Sequence, residues 1–285
     1  MCRLFGLLAE PGTPAEPWLM KGERSFLAQS NASVETAQRD GWGIAWYPGR
    51  RTPKVEKGVG GAFEPGERER FATTAAAATG PVVVGHLRHA SNPMGLSKER
   101  LSGLENVQPF HHAGILFAHN GMIPFPRETR PLLGKFERNL EGVNDSEVLF
   151  WLLVRHIEET GDPLGAYART VDDLLQVWKG QGSPAEGPFS GLNVVLSRGP
   201  NELWAFCHWR GEHGPGLLDG SRPYYRMTYA ADTKKAVVGS EPFDGHRHDW
   251  RDLGNGEYLH AQSAHGLVGV KTGPIPSLRV PAPSA

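Results

Sequence analysis

Short apolar stretches bordered by glycine, proline or asparagine recur along the chain: RLFGLLA (3–9), GWGIAWY (41–47), PVVVGHLRHA (81–90), GILFAHNG (114–121), GLNVVLSRG (191–199), NELWAFCHW (201–209) and YRMTYAA (225–231). Their length and turn-forming borders predict β-strands. A different period governs 145–160, where apolar residues fall at 148, 149, 152, 153 and 157 between an Asn-Asp-Ser start and Gly161. That spacing predicts a helix with its own start and stop signals. VDDLLQVW (171–178) continues the helical pattern, and ERERFATTAAAATG (67–80) predicts another helix between two strands. Arg198-Gly199-Pro200-Asn201 joins two strand patterns as a hairpin turn, which calls for antiparallel pairing. The fold class expected is therefore α+β with mainly antiparallel sheet. The Pro-rich stretch from Gly273 is expected outside the core, giving one domain over 2–272 and a tail over 273–285.

Composition narrows the function. With 285 residues, 39% of them hydrophobic, the chain can bury a sizeable core. Lys+Arg 30 against Asp+Glu 31, with no basic block, gives no electrostatic footprint for nucleic acid or an anionic membrane. A small polar substrate is the better expectation. The longest apolar run, VLFWLLV (148–154), falls far short of the roughly 20 residues that cross a bilayer. MCRLFGLLAEPG has too short an apolar run for a signal peptide and is read as mature sequence. The two cysteines, Cys2 and Cys207, make no disulfide framework, so a cytoplasmic location is expected.

Candidate chemistry begins at Cys2. A cysteine is most often a small apolar residue, here at the start of an edge strand. Position two offers another reading: methionine ahead of a small residue is ordinarily trimmed after translation, which would give Cys2 a free α-amine beside its own thiol. With a pKa of about 7.7–8.0, that amine can act as the base for its own nucleophile. Asn120 and Gly121 end a strand either as a hairpin turn or as two N–H donors for an oxyanion. Arg88, read as lying within an apolar strand, demands a carboxylate or comparable acceptor. Asp145 opens the long helix either as a cap or as an acceptor for a ligand ammonium. Trp42 and Trp46 fit core aromatics, and Gly41 and Gly43 fit backbone needs. Twelve histidines raise the possibility of a metal site, but strand alternation sends His86 and His89, or His111 and His112, to opposite faces. No metal or organic cofactor is expected.

The motifs MCRLFG, DGWGIAWY, GHLRHAS, FAHNGMI and NDSEVLFWLL, in that order, resemble the class II glutamine amidotransferases, N-terminal-nucleophile (Ntn) hydrolases with an N-terminal cysteine. The resemblance is strongest to stand-alone bacterial members, a group that includes the ergothioneine-pathway γ-glutamyl hydrolase. It implies a four-layer αββα sandwich, with Cys2 as nucleophile, Asn120 and Gly121 as the oxyanion pair, Arg88 holding the substrate carboxylate and Asp145 the substrate amine. Ser91 stands where larger members have threonine, and His89 and Asn92 also depart from their pattern; Ser91 and His89 are carried as substrate-side candidates. The implied reaction is hydrolysis of the γ-amide of glutamine or a γ-glutamyl conjugate through a cysteine thioester. Two alternatives stand beside it: a glutaminase subunit feeding ammonia to a separate synthase partner, and a non-catalytic γ-glutamyl-binding protein if Met1 is retained. Two irregular stretches, 181–190 and 208–225, are expected to wall the leaving-group side.

Overall fold

The computed structural model describes residues 2–49, 52–184, 187–244 and 248–276. Thirteen strands form among them: β1 Arg3–Ala9, β2 Trp42–Trp46, β3 Lys54–Gly58, β4 Val82–Leu87, β5 Phe110–His112, β6 Ile115–Gly121, β7 Leu192–Arg198, β8 Glu202–Cys207, β9 Met227–Ala231, β10 Lys235–Gly239, β11 Arg251–Leu253, β12 Glu257–Ala264 and β13 Leu267–Pro274. They build a seven-stranded sheet, β11-β9-β10-β1-β4-β2-β3, and a six-stranded sheet, β13-β12-β8-β7-β6-β5. Every pair in both sheets is antiparallel.

Strand alternation sorts the side chains into three cores. In β1, Leu4 and Leu8 face the second sheet and pack with Val84, Ala118, Val195 and Ala205. Phe5 and Leu7 face the other way, onto Phe26 and Phe71 of helices Phe26–Gln29 and Glu67–Ala77. On the far side, Phe117, Val194, Leu196 and Phe206 pack under helices Asp145–Thr160 and Pro163–Gly180. Helix, sheet, sheet, helix is the αββα sandwich expected. Gly6 leaves no room for a side chain: a Cβ there would meet Val195 Cγ1 of the second sheet at 2.8 Å and Val238 Cγ1 of the neighbouring β10 at 2.9 Å.

Two readings of the sequence are corrected. β4 ends at Leu87, so Arg88 is the first residue beyond the strand and not inside it. The expected tail boundary at 273 falls within β13, where Gly273 pairs with Tyr258 and Pro274 with Glu257, and Ile275 is buried in the helix-side core. Of that tail, 277–285 lie outside the described residues. No helix among the described residues is long and apolar enough to cross a membrane.

Candidate active site

Cys2 lies just ahead of β1, and pairing of Arg3 with Leu87 sets it beside the end of β4. There the backbone of His89 grips the thiol from both sides: Cys2 Sγ donates to the His89 carbonyl at 3.4 Å and accepts from the His89 N–H at 3.4 Å. The imidazole turns away, its Nδ1 3.3 Å from the Ala37 carbonyl. His89 therefore meets the nucleophile candidate through its peptide, not its ring. Asp40 shapes the same turn, its Oδ2 accepting from the Ala90 N–H at 2.8 Å.

Arg88, beside this turn, donates from Nη1 to the carbonyls of Asp40 (3.0 Å) and Leu101 (2.9 Å). Both acceptors are neutral, and among the described residues Arg88 has no ion pair. Burial lowers the Arg88 pKa, while Cys2, Asp40 and Asp145 act in the opposite sense. A desolvated cation with only neutral acceptors favours an anionic ligand.

Asn144, not Asp145, caps the long helix, its Oδ1 accepting from the Ser146 N–H. Asp145 is thereby left for the site. Its Oδ1 accepts from Ser91 Oγ at 3.0 Å and its Oδ2 from the Ile123 N–H at 2.8 Å. Burial pushes its pKa up, and those two hydrogen bonds pull it part-way back. No cation pairs with it among the described residues, so its charge suits a ligand ammonium.

β6 delivers Asn120 opposite Asn193 of β7, and both polar atoms of the Asn120 amide are buried without a hydrogen-bond partner. A native buried amide left in that state calls for an explanation, and a ligand donor role supplies one. Gly121, next along β6, has φ 157°, and a Cβ on it would meet the Gly191 carbonyl oxygen at 1.7 Å. His119 fastens the same corner, with Nδ1 2.9 Å from Ser146 Oγ and Nε2 3.1 Å from the Gly191 carbonyl. Burial depresses its pKa to about 4, so at neutral pH it is an uncharged brace between helix and strand.

Cys2, Arg88, Asn120 and Asp145 are 9%, 3%, 1% and 2% exposed, so the site is closed over. Part of the cover comes from residues that the sequence reading did not single out. Tyr224 donates its hydroxyl to the Cys2 carbonyl at 3.1 Å. The Tyr225 hydroxyl lies 3.2 Å from Ser190 Oγ, and its ring crowds Gly191, where a Cβ would come within 2.5 Å of it. Burial raises the Tyr225 pKa to about 12, with Cys2 and Asp145 near enough to push in the same direction. The two loops expected to flank the site thus meet through Ser190 and Tyr225.

The described residues thus offer a buried thiol with Arg88 and Asp145 near it, both without an ion pair, and a buried amide at Asn120 without a hydrogen-bond partner. The sequence profile of the glutamine amidotransferases class-II matches residues 1–275. The chain belongs to that family. Over 91 residues it is 33% identical to a glutamine–fructose-6-phosphate aminotransferase (isomerizing) from Xanthomonas campestris pv. campestris, covering 32% of this chain but 14% of that enzyme. A class-II glutamine aminotransferase domain protein from Silicibacter pomeroyi superposes with a TM-score of 0.62 at 19% identity, covering 96% of this chain and 99% of that one. The glutamine phosphoribosylpyrophosphate amidotransferase of B. subtilis gives 0.57 at 18% identity, covering 96% of this chain and 49% of that one. These likenesses share the sandwich fold. The chain thus spans a small part of the curated relative and about half of the B. subtilis enzyme.

Proposed function

We propose that this class II amidotransferase hydrolyses the γ-amide of glutamine or of a γ-glutamyl conjugate through a thioester on Cys2. The observation that carries the reading is the set of buried groups: Arg88 and Asp145, both without an ion pair among the described residues and both near enough to act on the Cys2 thiol, and Asn120, whose amide has no hydrogen-bond partner. Arg88 binds the substrate α-carboxylate. Asp145, steadied by Ser91, binds the α-ammonium. Burial raises the Cys2 pKa, with the His89 hydrogen bond and Arg88 opposing, so the thiol needs a base. After Met1 removal the Cys2 α-amine takes that proton as Sγ attacks the δ-carbonyl carbon. The oxyanion accepts from Asn120 Nδ2 and the Gly121 N–H. Its collapse breaks the C–N bond, and the departing nitrogen recovers the proton, leaving as ammonia or an amine. Water then attacks the thioester, releasing glutamate and the free thiol.

A second reading, ammonia delivery to a separate synthase, is supported by the greater length of two matched enzymes. A panel of γ-glutamyl amides and glutamine, assayed with pure Met1-free protein and again with cell extract, separates the two. Turnover by the pure protein, faster on some amides than on glutamine, is expected. Inertness on every member until extract and glutamine are combined favours the synthase reading.

Asp145→Asn tests the ammonium contact. The amide can still accept from Ile123 N–H and can donate to Ser91 Oγ, so the local geometry survives. The charge does not, and kcat/KM is expected to fall about a hundredfold or more. Stability moves the other way. A carboxyl whose folded pKa is raised favours the folded state at low pH; that contribution is lost as pH rises through the folded pKa. Above the folded pKa the unliganded carboxylate is therefore a cost that the variant lacks. Thermal unfolding at pH 7 should show an equal or higher Tm for the variant, and a clear drop would contradict this reading.

A further inference from the structure

Glu241, beyond the end of β10, is 2% exposed and gathers contacts from three directions. Its Oε1 accepts from the Leu217 N–H at 2.6 Å and its Oε2 from the Leu218 N–H at 3.0 Å. Arg3 Nη1 reaches it at 3.4 Å and Arg24 Nη2 at 3.5 Å. Arg3, the residue after the nucleophile candidate, lies with its guanidinium 4.3 Å from the centroid of the Tyr224 ring. Tyr224 in turn holds the Cys2 carbonyl. One carboxylate thus ties the middle of the segment 208–225 to the strand that carries Cys2, and the segment closes on itself through Gly216 N–H to the Arg222 carbonyl at 2.8 Å.

The wall that this segment presents is aromatic. The Tyr224 and Tyr225 rings meet edge-on with centroids 5.4 Å apart, and His213 meets Tyr225 at 4.5 Å. Tyr225 is further fixed by its carbonyl, which accepts from Asn193 Nδ2 at 2.5 Å. Asn193 is the β7 partner of Asn120, so the wall is keyed to the oxyanion corner as well as to the nucleophile.

We infer that Glu241 is a positioning residue that holds the 208–225 segment closed over Cys2, and that this segment selects leaving groups with an aromatic or apolar body over bare ammonia. Arg3 and Arg24 pair with the buried Glu241 carboxylate, which accepts both loop amides. Loss of its charge releases the loop, uncovers the thiol and removes the surface on which a bulky leaving group packs. The leaving-group clause rests on the hydrolase reading above; the closure clause does not.

The test combines two variants with two readouts. Glu241→Gln removes the charge. Leu217→Pro removes the N–H that makes the 2.6 Å bond and leaves the arginine pairs in place, which covers the case in which Glu241→Gln fails to fold. The first readout is the rate at which a bulky maleimide labels Cys2, located by peptide mass, and it needs no substrate. Cys207, fully buried and with its pKa pushed up to about 12, serves as the inert internal control. The second is the ratio of kcat/KM for a γ-glutamyl anilide to that for glutamine. Each folded variant is expected to label about tenfold faster while that ratio falls about tenfold. Tyr224→Phe should lower kcat without speeding labelling. Wild-type labelling in a folded Leu217→Pro protein overturns the closure. Faster labelling with an unchanged ratio overturns the leaving-group selection. If no γ-glutamyl compound is cleaved by any form, the hydrolase reading fails and the labelling rates still decide the closure.

Discussion

An uncleavable peptide fused ahead of Cys2 is expected to abolish turnover as completely as Cys2→Ala, by at least about a thousandfold. The fusion leaves the thiol between the same two peptide groups of His89. What it removes is the free amine, converting it to an amide with no basic lone pair. Because burial raises the thiol pKa, the thiolate is scarce near neutrality without a base at hand. Cys2→Ala, at a site already 9% exposed, should leave the Tm nearly unchanged, which separates lost chemistry from lost fold. Intact-protein mass after treatment with a glutamine-like electrophile reports Met1 removal and Cys2 labelling together. Full turnover by the fusion would rule out the N-terminal mechanism.

Asn120→Ala should lower kcat about a hundredfold or more with little change in KM, since an oxyanion donor acts mainly on charge that develops in the transition state. The fold is expected to tolerate the change unusually well for a buried polar site. Neither atom of the amide has a partner, so truncation breaks no internal hydrogen bond and removes a desolvated polar group that costs about 1–3 kcal/mol. That gain offsets the small cavity left behind. Kinetics and thermal unfolding on one preparation check both halves. A raised KM at constant kcat would make Asn120 a ground-state contact, and a large fall in Tm would mean that its amide has a structural partner.

Regular periodicity made much of the fold legible. RLFGLLA is β1 to the residue, and the helix over 145–160 begins and ends where its cap signals lie. The strands that the periodic reading did not pick out are β3, β5 and β10 to β13; most lie at edges or are short, but β10 and β12 lie inside their sheets. β3, KVEKG, is an edge strand with charges at Lys54, Glu56 and Lys57 and one apolar side chain among them, and β11 is three residues long. Arg88 was visible as an unusual buried cation, but its strand ends at Leu87, ahead of the turn in which the His89 backbone meets Cys2. Ser91 was legible only through a motif, and its bond to Asp145 spans 54 positions. Tyr224, Tyr225 and Glu241 carried no local signal, since their importance comes from contacts across 222, 35 and 238 positions. Long-range pairing of irregular loops has no period to read.

The thiol rides on the end of one sheet and the Asn120 amide on the end of the other, joined chiefly by the apolar layer between them. On the proposed mechanism, alignment of the reacting atoms is thus a property of how two slabs sit face to face, with Gly6 packed against Val195 across the layer between them. A small shear of one slab over the other would leave every hydrogen bond within each sheet intact yet part the nucleophile from its donor. Heating or mild denaturant should therefore abolish the proposed hydrolysis before secondary structure is lost. A methyl group at position 6, distant from the chemistry, would act as a wedge on catalysis.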